Sequence, residues 1–449
     1  MEPFHPQRPL LVEQHRFMKL FQEVGKELEE LWRAKDYDEA IFPAMAAEAL
    51  KNADLPSKVT PWEVVEWTLQ QNELPRQKDV QGRFGEPPIT LFVAPRFHID
   101  VYFWFEGTTS IHQHGFCGAF QVLEGSSIHS WYEFERRDAV NSFCELGEMS
   151  LKLCELLEVG AVQAIRPGRQ YIHSLFHLDH PSVTIVVRTD KSPLYLPQYD
   201  YQKPSLAVDP FYEHESLIKK LQSVSALFRA QHPEADRLVS DLLDTADFHT
   251  TFLVLRNVRS MLGANHIDQV FNLTTPKDRF AKMLQSVSER HGTRGEALRG
   301  VFARMDRIDE ILRRRSFVTN PEHRFFLALL LNVDGKENIF PLVKQRYADD
   351  DPVEKILDWV LELSETRVMA ANSQNALGIE NFGAFDLFVL ENLLRDKSID
   401  EMKAAMSNDY PADQADGLIA ALPEKIERIN SAVIFEPLFA DSQLKMAAI

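Results

Sequence analysis

Two histidines one residue apart, in the run Gly107-Thr108-Thr109-Ser110-Ile111-His112-Gln113-His114, have a spacing suited to chemistry. Side chains two apart on an extended strand share a face, so His112 and His114 can bring two imidazole nitrogens to one ion. Neutral imidazole suits Fe(II), Ni, Cu and Zn, whereas Mg and Ca prefer oxygen ligands. Seven of the fifteen histidines lie between residues 98 and 180: His98, His112, His114, His129, His173, His177 and His180. A third nitrogen must come from a separate stretch, and Tyr171 to Pro181 offers His173, His177 or His180. A ligating imidazole needs a partner for its other nitrogen, and Asp179 is placed to serve there. His98 and His129 are expected to be strand-surface or core histidines.

The elements that must position these groups differ along the chain. From Val12 to Asn52 apolar residues recur at three and four (Phe17, Leu20, Phe21, Val24, Leu28, Leu31, Trp32), which predicts a long amphipathic helix and a second near 40–52. Thr60-Pro61-Trp62-Glu63 supplies an N-cap, a first-turn proline and a carboxylate for a third helix running to about Gln71. The middle changes period. Strands are predicted at Ile89 to Val93, Phe97 to Phe105, Gly118 to Leu123, Ser127 to Phe134, Ala161 to Ile165 and Val183 to Arg188, punctuated by glycine and proline. Short strands with regular turn signals indicate an antiparallel barrel or sandwich. Beyond Pro204 the helical period returns, with clear segments at Leu217 to Phe228, Phe280 to Val287, Ala297 to Leu312, His323 to Leu331, Val353 to Leu363 and Phe385 to Leu394. No fixed repeat marks a solenoid. Asn332-Val333-Asp334-Gly335 lacks the alternating carboxylates of a calcium loop and is a turn.

Composition narrows the function classes. The chain has 49 basic and 67 acidic residues, a net charge of −18, which disfavours general nucleic-acid binding. The basic run Arg313-Arg314-Arg315 is expected to be a solvated helix face. Three cysteines, Cys117, Cys144 and Cys154, make a poor disulfide framework and point to a reducing, cytoplasmic setting. No secretory signal is evident in Met1 to Leu10. Apolar stretches such as Phe325 to Leu331 fall far short of the ~20 residues of a membrane span.

Gly107 to Gly125 resembles the first motif of the cupins: a glycine, a few residues, His-x-His, then a strand closed by glycine. Gly160, Pro167-Gly168 and His173 resemble the second motif, each spacing about one residue longer than usual. The resemblance spans about a quarter of the chain. It implies an α+β protein with a cupin-type antiparallel β-barrel (jelly roll) at 79–204 holding a metal in its mouth. An N-terminal helical segment at 1–78 would pack on the barrel, and a large all-α region would occupy 205–449. The resemblance carries over His112, His114 and His173 as metal ligands, with His173 fitting the cupin spacing better than His177 or His180.

Many cupins place a glutamate four or five residues after the second histidine, where this chain has Gly118 and Ala119, and no carboxylate follows until Glu124. A site of three neutral imidazoles keeps more positive charge and leaves positions for an anionic substrate and O2. In this it is similar to the thiol dioxygenases, three-histidine iron cupins. That likeness implies Fe(II), with Zn, Ni or Mn also compatible with the ligands, and oxidation of a small thiol or related small organic acid. Cys117, His177 and Arg188 are its candidate catalytic residues, with His177 as an acid–base group. The crosslinking cysteine of the animal enzymes is placed differently from Cys117, and their crosslinking tyrosine would fall near Val187 or Arg188, where none stands. Their carboxylate-binding arginine would fall near Thr90, so Arg83, Arg96 or Arg188 would have to replace it. Arg188 ends an apolar strand and serves either a substrate anion or an ion pair at the barrel rim. Tyr195, Tyr199 and Tyr201, in a proline-rich exit segment, are expected to cover the barrel's side.

Two functions follow from these residues. The first is a mononuclear non-haem Fe(II) dioxygenase whose partners are a small molecule and O2. The alternative is a metal-binding cupin serving as sensor or scaffold, with the helical region as interaction module. Zinc or nickel isomerase chemistry fits the same ligands. Neither nucleic acid nor membrane is an expected partner, and the helices could clamp the barrel, bind a partner or form a homodimer.

Overall fold

A computed structural model describes residues 10–82, 84–105, 110–264, 276–367, 375–409 and 411–440. Gly107 of the histidine motif, Arg83 and the segment 1–9 lie outside the described residues. Three helices come first, α1 (Leu10–Arg33), α2 (Phe42–Ala53) and α3 (Pro61–Gln70). Thr60 and Glu63 close a reciprocal capping box on α3, with Pro61 in its first turn. The strands are β1 (Pro88–Val93), β2 (Phe97–Trp104), β3 (Ile111–His114), β4 (Gly118–Glu124), β5 (Ser127–Asn141), β6 (Cys144–Leu157), β7 (Val162–Ile165), β8 (Gly168–His177), β9 (Ser182–Thr189), β10 (Asp200–Gln202) and β11 (Leu206–Val208). The fold is α+β. One sheet runs β1-β2-β9-β4-β7, and six strands form a closed antiparallel barrel in the order β10-β11-β6-β5-β8-β3.

Helices then continue to the end of the described chain: α4 (Glu215–Arg229), α5 (Ala235–Leu243), α6 (Phe248–Ala264), α7 (Pro276–His291), α8 (Thr293–Phe317), α9 (Pro321–Asn332), α10 (Lys336–Arg346), α11 (Pro352–Glu365), α12 (Ala384–Leu394), α13 (Ile399–Asp409), α14 (Ala412–Asn430) and α15 (Glu436–Phe439). The chain divides into two compact units. The first holds the described residues up to Tyr132, Leu151–Leu196 and those from Arg307 onward; the second holds Glu133–Ser150 and Pro197–Asp306.

In the first unit the helices cover two surfaces of the strands. Phe21, Leu28, Trp32, Phe42, Leu50 and Trp67 from α1–α3 share a core with Ile99, Val101, Ala119 and Val187. Ile128, Leu156 and Phe176 share a second core with α9 to α15. Helix α9 sits inside that core, every residue from Phe325 to Leu331 being buried, which is why its sequence is apolar all round. Asn332 to Gly335 is a turn whose Asp334 carboxylate accepts from Arg307 at 3.0 Å. The run Arg313 to Arg315 is a solvated face only in part: Arg313 is exposed, but Arg315 is buried with its guanidinium 5.0 Å from the Phe176 ring centroid. Three guanidiniums in a row cannot share one helix face, because successive residues turn by about 100°.

In the second unit Cys144, Leu146, Leu206 and Val208 pack against Val224, Phe252, Leu255 and Phe302, and Arg294 pairs with Asp138 at 2.6 Å. The segment carrying Tyr199 and Tyr201 forms β10 and its approach, with the Tyr199 hydroxyl donating to the Ser142 carbonyl. No helix among the described residues is long and apolar enough to cross a membrane.

Candidate metal centre

Strand β3 presents His112 and His114 on one face, as the period of two requires. Across the ladder His112 lies opposite His173 of β8, and the pairing is irregular between His112 and His114. The three histidines bring ligand nitrogens within 4.8 Å of one another, all buried. The Nε2 atoms of His114 and His173 are 2.9 Å apart. Two nitrogens bound at right angles to one first-row ion at ~2.1 Å would lie ~3.0 Å apart, so the pair has a spacing that suits metal ligation. The Ser110 carbonyl lies 2.7 Å from His112 Nδ1; with the proton on Nδ1, the Nε2 lone pair faces its neighbours.

Electrostatics agree with that donor set. Burial, then the charges of His112, Arg188 and Lys191, hold the His114 imidazole well below its ordinary range. Burial, then His112, His114 and His129, do the same to His173. These two rings therefore stay neutral, the form that donates a lone pair to a cation. Among the described residues no carboxylate joins the group. Gly118 shows why: a Cβ there would sit 2.0 Å from the Val187 carbonyl oxygen, so no glutamate fits. Ala119 points to the other face, into the core with α1–α3.

The space beside the histidines is narrow, about 40 Å³, and aromatic. Its walls include Phe84, Tyr102, Trp104, Phe116 and Phe120. The Tyr102 hydroxyl donates to Asp100 at 2.9 Å, and His98 lies 3.2 Å from the same carboxylate. Burial alone would raise the Asp100 carboxyl, yet the bonds from His98 and Tyr102 bring it below its ordinary value. Arg188 is half-buried with its guanidinium 3.4 Å from the Phe116 ring centroid, and its charge acts on both Tyr102 and His114. Arg96, in contrast, lies over the Tyr37 ring.

The other sequence candidates fall elsewhere. Cys117 faces away from the histidines, buried in the core with α1–α3, its sulfur 3.7 Å from the Glu39 carbonyl. It follows the bend at Gly115 and Phe116 that links β3 to β4, so its nearness to His114 in sequence does not set its direction. Burial pushes its thiol up to about 11, the opposite of what a nucleophile needs. His177 lies on the interior face of β8 but outside the three-histidine group; it stacks on Trp104 at 4.7 Å, and burial pushes it down to about 3. Its Nδ1 partner is Ser127 at 3.0 Å, whereas Asp179 accepts from Ser126. His180 is exposed.

Sequence reasoning passed over His129, Tyr171 and Glu155. His129 packs edge-on to His173 with ring centroids 5.4 Å apart. Its Nε2 meets the Tyr171 hydroxyl at 3.0 Å and its Nδ1 meets Glu155 at 2.9 Å. Tyr171 itself packs on His173, ring centroids 4.4 Å apart. Two of the three were findable by parity, since Tyr171 is two residues before His173 and His129 lies two from Trp131, which pairs with His173.

No family model matches the chain, and no curated protein matches it. Solved structures give partial likenesses. A cupin-2 domain protein from Shewanella frigidimarina is 14% identical over 24% of this chain and 84% of its own, with a TM-score of 0.17. A conserved protein with a double-stranded β-helix domain from Klebsiella pneumoniae is 11% identical over 30% of this chain and 90% of its own, TM-score 0.17. A hydroquinone 1,2-dioxygenase in complex with Cd2+ and 4-hydroxybenzonitrile is 14% identical over 28% of this chain and 72% of its own, TM-score 0.19. These likenesses are partial, and the chemistry of the centre rests on its own geometry.

Proposed function

We propose that the three histidines hold one divalent metal in a cupin-type barrel and that the centre is an Fe(II)-dependent dioxygenase acting on a small organic acid or thiol. The observation that carries this reading is the donor set, with three buried imidazoles converging and no carboxylate among them. Such a set leaves a bound divalent ion with its full positive charge, which favours an anionic substrate beside it. When bound there, Fe(II) supplies Lewis acidity and the redox capacity to oxidise a substrate with dioxygen.

The chain's own residues divide the remaining work. Arg188, its guanidinium over the ring of the wall residue Phe116, is the cation to bind a substrate carboxylate. Tyr102, tied to Asp100, keeps its proton because burial raises its pKa, so its hydroxyl is fixed as a donor. Trp104, Phe116 and Phe120 exclude water and strengthen every charge interaction within. A cytoplasmic setting suits a reduced iron centre and three thiols without a disulfide.

The test is oxygen uptake by protein reconstituted with Fe(II), over a panel of small thiols, carboxylic acids and phenols. Uptake that depends on one of these and falls at least tenfold in Arg188→Met supports the reading. No uptake across the panel overturns it. The narrowness of the cavity favours a second reading, in which the metal is structural or sensory and the helices are an interaction module. A metal that resists exchange and supports no turnover is its signature.

A further inference from the structure

We infer that Tyr171 is a redox-active side chain that gives one electron to an oxidant formed at the three histidines, with His129 taking its proton. The inference rests on the proposed oxygen chemistry of that centre. Removing an electron from a phenol turns its hydroxyl into a strong acid, so the electron leaves readily only where a base within hydrogen-bond reach takes the proton at once. Tyr171 has such a base. Its hydroxyl lies 3.0 Å from His129 Nε2, and His129 Nδ1 lies 2.9 Å from Glu155 Oε1. A carboxylate only accepts, so Nδ1 carries the ring proton and Nε2 is left to accept from the phenol. The Gln163 amide donates to the same Glu155 oxygen at 2.9 Å and holds it in place.

The rings around Tyr171 supply the path. It packs on His173 with centroids 4.4 Å apart and planes inclined by 32°, and lies 6.2 Å from His114 at 21°. Half-buried Trp131 stands 6.1 Å away, a relay through which an electron can return. Tyr171 and His129 are 4% and 1% exposed, whereas the Glu155 side chain, at 32%, reaches solvent. A radical on Tyr171 is thus shielded, and the charge left on His129 is balanced by a carboxylate. Tyr102 differs, because its hydroxyl donates to Asp100, and a carboxylate is a weaker base than imidazole by about 2.6 pH units. In the step itself the Tyr171 O–H bond breaks, an N–H bond forms at His129 Nε2, and the oxidant is reduced by one electron. A neutral phenoxyl radical and an imidazolium remain. One electron from a reductant such as ascorbate, passed through Trp131, and return of the proton restore the pair. An oxidant that meets no substrate is discharged in this way without damage to a candidate ligand.

The experiment reads the radical rather than turnover. Fe(II)-loaded full-length protein is mixed with hydrogen peroxide and freeze-quenched for electron paramagnetic resonance. Wild type should give a tyrosyl signal that falls at least tenfold in Tyr171→Phe, which keeps the ring contacts. His129→Gln keeps a hydrogen-bonding side chain but no base, and should also cut the yield at least tenfold; a purely structural His129 predicts the wild-type yield. With iron bound, no wild-type signal, a signal that survives Tyr171→Phe, or one undiminished in His129→Gln overturns the inference. Should His129→Gln not fold, Glu155→Gln decides, a loss of at least threefold supporting the pair and an unchanged yield overturning it. If iron does not bind, metal-free protein oxidised by photogenerated ruthenium(III) tris-bipyridine decides. A signal there that depends on Tyr171 and His129 means that the metal reading fails and the redox-active pair stands, and its absence overturns the pair as well.

Discussion

From β2, Ile99, Val101 and Phe103 enter the core shared with α1–α3. One residue away in each case, Asp100, Tyr102 and Trp104 face the side that holds the histidines. The same split runs along β4, where Ala119 goes one way and Phe120 the other, and along β9, where Val187 and Val186 part company. One face is apolar. The other carries buried imidazoles, a carboxylate, phenols and a half-buried guanidinium. A strand in this protein thus separates stability from chemistry by the parity of its residue numbers, and mistakes about function here are mistakes of parity.

The comparison breaks most visibly on the apolar face. Ile99→Asp places an unpaired charge in a fully buried site and should cost more than about 4 kcal/mol, enough to prevent folding. Soluble expression and a native circular dichroism melt would show that this face is less tightly packed than described.

A middle-sized effect comes from the opposite face. His177 is pushed down to about 3 by burial, while an unfolded histidine titrates near 6.5. Above 6.5 both states are neutral and the group contributes no pH dependence. As pH falls below 6.5 the unfolded state takes up the proton first, so stability declines by ~1.4 kcal/mol per unit until the folded group titrates. Between pH 6.5 and 5 this amounts to about 2 kcal/mol. His177→Gln should flatten the urea-midpoint profile over that window by a comparable amount; an unchanged slope would mean that the imidazole is hydrated.

The smallest effect sharpens the parity argument. Cys117→Ala should cost about 1 kcal/mol through lost packing and leave metal content untouched, because the thiol lies with α1–α3. A metal stoichiometry halved by that change would place the sulfur on the wrong face.

Much of this architecture was legible in residue order. The strands from Pro88 to Trp104 and the α3 cap followed from β-branched and aromatic enrichment and from Thr60-Pro61-Trp62-Glu63. The shared face of His112 and His114 followed from their spacing, while His173 was singled out from His177 and His180 only by the cupin resemblance, and the three do come together. Strand β6 was missed because Leu and Glu dominate Glu145 to Leu157, a composition with helical propensity that only its partner strands override. Glu155, on that strand, was lost with it. Cys117 was misplaced because nearness in sequence stood in for direction. Phe84 carried no signal, since a lone phenylalanine in a glycine- and proline-rich turn acquires meaning only from the three rings it meets.

The central claim is that imidazoles from β3 and β8 share one ion. Metal analysis of purified wild type beside His112→Ala and His173→Ala tests it most directly, by plasma emission after equilibration with Fe(II) and, separately, Zn(II). The account predicts close to one ion per chain in wild type and a loss of at least tenfold in affinity in each variant, with folding retained. Wild type without a stoichiometric ion, or either variant retaining wild-type affinity, would contradict it.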